Sequence, residues 1–177
     1  MNRTVLCLLL CLLLVGCAAA PAAEVFYVED REEPSAEAAA APPEPAYVVS
    51  FSVPEDATLA ADATDGATVC KADDGSYTIA ATVLPGLCAA DALRVQTGLS
   101  PQALRPLCTE RLGMPFYRYV WCEQCGEQTL VCTGALYEDA DCCYCLCFCA
   151  AEDAVLRLRE IRDSVLESFS LNADEGF

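Results

Sequence analysis

The segment Asp141-Cys-Cys-Tyr-Cys-Leu-Cys-Phe-Cys149 carries five cysteines in nine positions, and Cys122-Glu-Gln-Cys125 precedes it. Thiolates are soft ligands for Zn or Cu(I), and C-x-x-C is also the spacing of a thioredoxin-type dithiol. Each chemistry makes a demand on its surroundings. A zinc ribbon needs a second C-x-x-C at a separate knuckle, and the later pair available, Cys142 and Cys145, begins inside an apolar run. A redox dithiol needs a helix N-terminus to lower the pKa of its first thiol. Here Cys125 is followed by Gly126-Glu-Gln and the strand-like Thr129-Leu-Val-Cys-Thr133, so a hairpin tip is expected in place of a helix. Extended backbone offers another account of the cysteines. A strand sends Cys143, Cys145, Cys147 and Cys149 to one face and Cys142, Tyr144, Leu146 and Phe148 to the other. Both sets are apolar, as in a strand covered on both sides, where free Cys packs as a small hydrophobe. Same-face neighbours lie about 6.6 to 7 Å apart, too far for a bridge within the strand. The cysteines therefore read as packing residues. The alternative is a surface thiol protein, redox-active or soft-metal-binding, with Cys122, Cys125, Cys132 and Cys147 as its candidate residues.

Other catalytic patterns are missing from the sequence. The chain has no His, so no Cys-His or Ser-His pair exists, and neither G-x-S-x-G nor a P-loop pattern occurs. Paired carboxylates fall on expected turns and on a helix face, where charge serves solvation. Trp121, Tyr117 and Tyr119 sit at strand spacing and read as core in preference to a ligand cleft. The expectation is a protein that is not an enzyme and holds no metal.

The elements that position these residues follow from periodicity and turn chemistry. Tyr47 to Val53 alternates and stops at Pro54, which predicts a strand. Thr68 to Lys71 and Tyr77 to Val83 flank Asp74-Gly75, a strong hairpin signal. Ala89 to Thr97 is helical in composition, and Ser100-Pro101 supplies an N-cap and first-turn Pro for a short helical turn limited by Pro106. Phe116 to Cys122, Thr129 to Tyr137 and Cys142 to Cys149 then form a three-stranded meander. A tight turn over Glu138 to Asp141 sets Tyr137 against Cys142. That register places Cys132 opposite Cys147, as neighbouring thiols, with Gly134 opposite Cys145 and Leu136 opposite Cys143. The last element runs from Asp153, its expected N-cap, to Phe169. Its apolar stripe of Val155, Leu158, Ile161, Val165 and Phe169 suits an amphipathic helix packed on the sheet. The predicted fold class is α+β: an antiparallel sheet with a β-meander, packed by a middle helix and a C-terminal amphipathic helix.

Charge bounds the partners. With 27 acidic residues against 10 basic ones, the net charge is −17, which repels nucleic acid and anionic headgroups. Calcium loops need oxygen ligands at D-x-D-x-D-G spacing, whereas Asp73-Asp74-Gly75 and Glu138 to Asp141 sit at expected turns.

The first sixteen residues have a polar start with Arg3 and an apolar run from Val5 to Val15, which is too short to span a membrane comfortably and reads as an export signal. Its end, Leu14-Val15-Gly16-Cys17, resembles the lipobox of bacterial lipoproteins. The resemblance implies cleavage after Gly16 and a covalent diacylglycerol on Cys17, hence a membrane partner reached through a lipid anchor on the extracytoplasmic face. With Cys7 and Cys11 removed and Cys17 acylated, eleven of the fourteen cysteines remain, an odd number that cannot all pair internally. Residues 17–46 are mostly Ala, Pro and Glu, a composition that cannot offset its ordering entropy and reads as a tether. Residues 47–171 form one domain, and 172–177 a C-terminal tail.

The order of early strands, middle helix, meander containing Tyr117-Arg118-Tyr119-Val120-Trp121 and terminal helix ending Val165-Leu-Glu-Ser-Phe169 is similar to small bacterial surface lipoproteins with PsbP-like domains. That resemblance implies an antiparallel sheet layered with helices and an accessory role that binds an envelope protein partner. It transfers no functional residue.

Overall fold

The computed structural model describes residues 43–60, 67–140 and 142–173. The signal segment, Cys17 and most of the expected tether lie outside them. Seven strands form one antiparallel sheet: β2 (Ala57–Leu59), β3 (Ala67–Ala72), β4 (Tyr77–Pro85), β5 (Leu107–Arg111), β6 (Met114–Cys125), β7 (Gln128–Glu138) and β8 (Cys142–Ala151), in the spatial order β2-β3-β4-β8-β7-β6-β5. The meander β6-β7-β8 is thus closed against β4 by a return connection that carries helices α1 (Ala89–Thr97) and α2 (Pro101–Leu104). A separate two-stranded ribbon pairs β1 (Tyr47–Ser50) with β9 (Ser170–Ala173), and helix α3 (Arg159–Ser168) precedes β9.

β8 is the hinge of the packing. Its even-numbered residues Cys142, Tyr144, Leu146, Phe148 and Ala150 join a buried cluster with Ile79, Phe116, Tyr137, Val165, Leu166 and Phe169. Its odd-numbered residues Cys143, Cys145 and Cys147 join a second cluster on the opposite face, with Tyr119, Trp121, Leu136, Ala92, Leu93 and Leu104. The expected division of the cysteine run between two apolar faces is what the strand presents. α3 supplies one cover, and α1 with α2 the other.

Local chemistry accounts for the helix boundaries. Ser100 Oγ accepts from the backbone N–H of Ala103 at 3.3 Å and Pro101 opens α2, as the sequence suggests. α1 begins at Cys88, which gives no side-chain cap. Glu138 takes that role across the chain, accepting from the Ala89 N–H at 2.7 Å while its other oxygen accepts from the Tyr117 hydroxyl at 2.8 Å. A carboxylate suits the positive end of a helix, so one side chain ties α1 to the meander.

Three expectations need correction. The turn after β7 sits one residue later than Glu138 to Asp141: the Asp139 N–H donates to the Cys142 carbonyl at 2.9 Å. The register therefore moves by two residues. Tyr137 faces Tyr144 instead of Cys142, Leu136 faces Cys145, Gly134 faces Cys147 and Cys132 faces Cys149. A shift of two keeps every side chain on its face, so the predicted faces hold although the predicted partners do not. Asp153 does not cap a long helix. A 3-10 turn, Glu152–Ala154, and a further turn come first, and α3 starts after Leu158. This stepped entry lets both Ala154 and Leu158 bury against the sheet. Finally, the first strand pairs only from Tyr47 to Ser50, and β9 draws Asn172 and Ala173 from the segment read as a tail.

Candidate functional site

The thiols are scattered by the sheet. Cys122 and Cys125 lie three residues apart on β6, so their side chains leave opposite faces. Both are exposed, Cys122 facing Val131 and Cys125 facing Gln128. Cys132 is bonded to Cys149 in a disulfide with Cα atoms 4.1 Å apart. Cys147, expected beside Cys132, stands between Gly134 on β7 and Ala80 on β4. The four candidate cysteines are not brought to one point, and no group of three or more Cys, Asp or Glu among the described residues is arranged to hold a metal ion. Cys17 lies outside the described residues.

Burial settles the character of the remaining core thiols. Desolvation pushes Cys143 and Cys147 up to about 12 and Cys145 well above its ordinary value; for Cys147 a hydrogen bond with Tyr119 pulls weakly the other way. Cys143 donates to the Leu87 carbonyl at 3.1 Å. Protonated thiols are poor nucleophiles and poor ligands. Gly134, opposite Cys147, is covered by the ring of Tyr119, which occupies the space a Cβ would take. Tyr119 in turn reaches Gln96 of α1 and stacks on Trp121 at 5.5 Å between ring centroids. The aromatic residues of β6 are core on this face, as their spacing suggests.

The other flank of β6 is different. β5 pairs with β6 only from Met114 to Arg118. Beyond that point Tyr119 to Cys125 have β7 on one side and, among the described residues, no strand on the other. The two-residue turn Leu112-Gly113, both residues with positive φ, makes its flanking pair Arg111 and Met114 a hydrogen-bonded one. Antiparallel alternation then makes Leu107 and Arg118 the last bonded pair, and the next N–H groups aimed outward from β6 are those of Val120, Cys122 and Gln124.

A cleft of about 430 Å³ lies where β5 leaves this edge, lined by Leu104, Arg105, Leu107, Arg118, Tyr119, Val120, Thr133, Arg162 and Asp163. Val120 and Thr133 are register partners and form its floor. Leu107 and Val120 are 63% and 55% exposed. Three of the ten cationic side chains of the whole chain meet here. The single carboxylate, Asp163, is already engaged by Arg162 at 2.8 Å, and that contact holds its carboxyl below the usual range. Arg105 and Arg118 make no ion pair among the described residues, which leaves the cleft with uncompensated positive charge. A second cleft of the same volume, beside Cys149, sets one cation, Arg157, near Asp153 and has no such excess. The first cleft is not legible in the sequence because its residues come from five separate elements. The one local signal was Arg118 and Val120, polar and apolar outward positions alternating with the half-buried Tyr117 and the buried Tyr119 and Trp121.

No protein-family model and no curated protein matches the chain. Solved structures share its fold. A protein of Bacteroides thetaiotaomicron superposes with a TM-score of 0.50 at 10% identity, over 72% of this chain and 46% of its own, so the chain spans less than half of that protein. LpqN of Mycobacterium tuberculosis, involved in cell envelope biogenesis, gives 0.50 at 14% identity over 71% of this chain and 84% of its own. Cyanobacterial PsbP (CyanoP) of Synechocystis sp. PCC 6803 gives 0.51 at 13% identity, over 70% and 86%. At such identities the likeness is one of fold: an α+β domain on an antiparallel sheet, similar to that of PsbP.

Proposed function

We propose that this chain is a bacterial lipoprotein, acylated at Cys17 and held on the extracytoplasmic face of a membrane, whose domain is a binding or accessory module for an envelope protein and not an enzyme. The observation that carries the binding half is the cleft at the end of β5. A chain of net charge −17 concentrates cations and exposed apolar side chains beside a strand edge whose backbone groups are unpaired among the described residues, and such surfaces serve contact. The cysteine run supports the same reading, with Cys143, Cys145 and Cys147 as protonated packing residues and Cys149 bridged to Cys132. The PsbP-like fold, shared with a protein involved in cell envelope biogenesis, is in keeping with it. No described helix is long and apolar enough to cross a membrane; in this reading attachment rests on Cys17.

Palmitate labelling and detergent partitioning of the full-length chain against Cys17→Ser test the anchor. The wild type should label and enter the detergent phase, and the variant should do neither; equal behaviour contradicts the lipid anchor. Amine and carboxyl cross-linking in intact cells tests the module. A discrete adduct with a second envelope protein is expected, and recovery of the uncross-linked chain alone contradicts a binding role.

A further inference from the structure

We propose that the free edge of β6 accepts an extended acidic segment of a partner protein, added as a further antiparallel or parallel strand beside Val120, Cys122 and Gln124. This rests on the reading of the domain as a binding module and specifies the chemistry of its partner. The edge supplies main-chain donors and acceptors in the alternating pattern that strand addition uses. Alternate side chains of an added strand would reach the two faces of the sheet: one set towards Arg118 and Arg162, the other over Leu104 and Tyr119. A sequence alternating carboxylate with aliphatic residues satisfies both. Charge makes the choice sharp. The whole-chain field favours a cationic partner, so any preference for an acidic strand has to arise locally, from guanidinium groups that pair with carboxylates in two-pronged geometry.

The probe is a fluorescein-labelled synthetic peptide of alternating Glu and Val, with the Lys-for-Glu peptide as control, titrated by anisotropy against the full-length chain in non-ionic detergent. Saturable binding is expected, at least ten-fold tighter than for the Lys peptide and weakened by salt. Arg118→Glu should weaken it ten-fold or more. Val120→Pro should do the same, because it removes an outward N–H while sparing the β6–β7 ladder, whereas Val120→Ala, which shortens the side chain but keeps that N–H, should weaken binding far less. Amide resonances of Val120, Cys122 and Gln124 should shift and become protected from exchange on addition of the acidic peptide. Equal or tighter binding of the Lys peptide overturns the proposal. Full competition by sodium glutamate together with an unaffected Val120→Pro variant also overturns it, reducing the cleft to a site for isolated anions. Protection of the same amides without peptide, accompanied by concentration-dependent dimerisation, overturns it in favour of a second copy on the edge. In each of these cases an envelope adduct can persist, so failure of the strand proposal stays distinct from failure of the binding-module reading.

Discussion

β8 and β6 belong to the same sheet, separated by one strand, and both carry Cys and aromatic residues, yet they differ in nearly every property that chemistry requires. Cys143 and Cys145 on β8 are fully buried, paired on both sides and held protonated. Cys122 on β6 is exposed and lies on a stretch that, among the described residues, is paired on one side only. The density of cysteines on β8 reflects small apolar side chains packing where two strands press from either side. The sparser polar signal on β6, Arg118 and Val120, marks where the sheet is open. Composition draws attention to the first strand, but accessibility and uncompensated charge single out the second.

The contrast can be broken first at the level of stability. Leu146→Ala, in the fully buried part of β8, should cost about 2–5 kcal/mol, whereas Val120→Ala on the open edge should change stability by no more than about 0.5 kcal/mol. Urea denaturation measures both, and equal losses would mean that the edge of β6 is covered as thoroughly as the core. The next effect belongs to the disulfide that ties β8 to β7, the strand between the two regions. Cys132→Ala with Cys149→Ala removes a disulfide that spans 17 positions, and loop-closure entropy puts the expected loss at about 3 kcal/mol. The double variant should still fold, because both positions remain packed between Trp121 and Thr78.

A finer test uses pH. At pH 8, iodoacetamide should modify Cys88, Cys108, Cys122 and Cys125 in the native chain and leave Cys143, Cys145 and Cys147 unmodified, as read by peptide mapping. Unfolded thiols ionise near pH 8.5, while Cys143 and Cys147 keep their protons up to about 12. The native state therefore binds more protons than the unfolded state between those values. Stability should be undiminished below about pH 8.5 and fall as pH rises towards 12. A stability that rose across that window would contradict the burial of these thiols.

How far the sequence discloses this molecule depends on whether a feature is local. The α+β class, the hairpin over Asp74-Gly75, α1, the cap at Ser100 and the two-faced cysteine strand all follow from periodicity or from residues next to one another. β5 escaped notice because its hairpin turns on Leu112-Gly113, and Leu at φ 56° is not a turn signal that a sequence advertises. β9 escaped because its partner, β1, lies more than a hundred residues away, and nothing local announces the pairing. The register of β7 on β8 differs by two residues from the expected one because the position of the turn cannot be read from Glu138-Asp-Ala-Asp141 alone, while face assignment depends only on parity and survived. The cleft was the least legible feature. Arg105, Arg118 and Arg162 come from a helix end, a strand and a second helix, and only the topology brings them together.

In the proposed function this protein works through contact at the open flank of β6 and not through its thiols. The most direct measurement places a photo-cross-linking benzoylphenylalanine at Leu107, an exposed residue of the cleft, in the full-length chain in living cells. It compares three backgrounds: wild type, Cys88, Cys108, Cys122 and Cys125 all changed to Ser, and Arg118→Glu. One discrete adduct is expected, retained in the Ser background and lost with Arg118→Glu. An adduct that disappears in the Ser background and survives Arg118→Glu would contradict it.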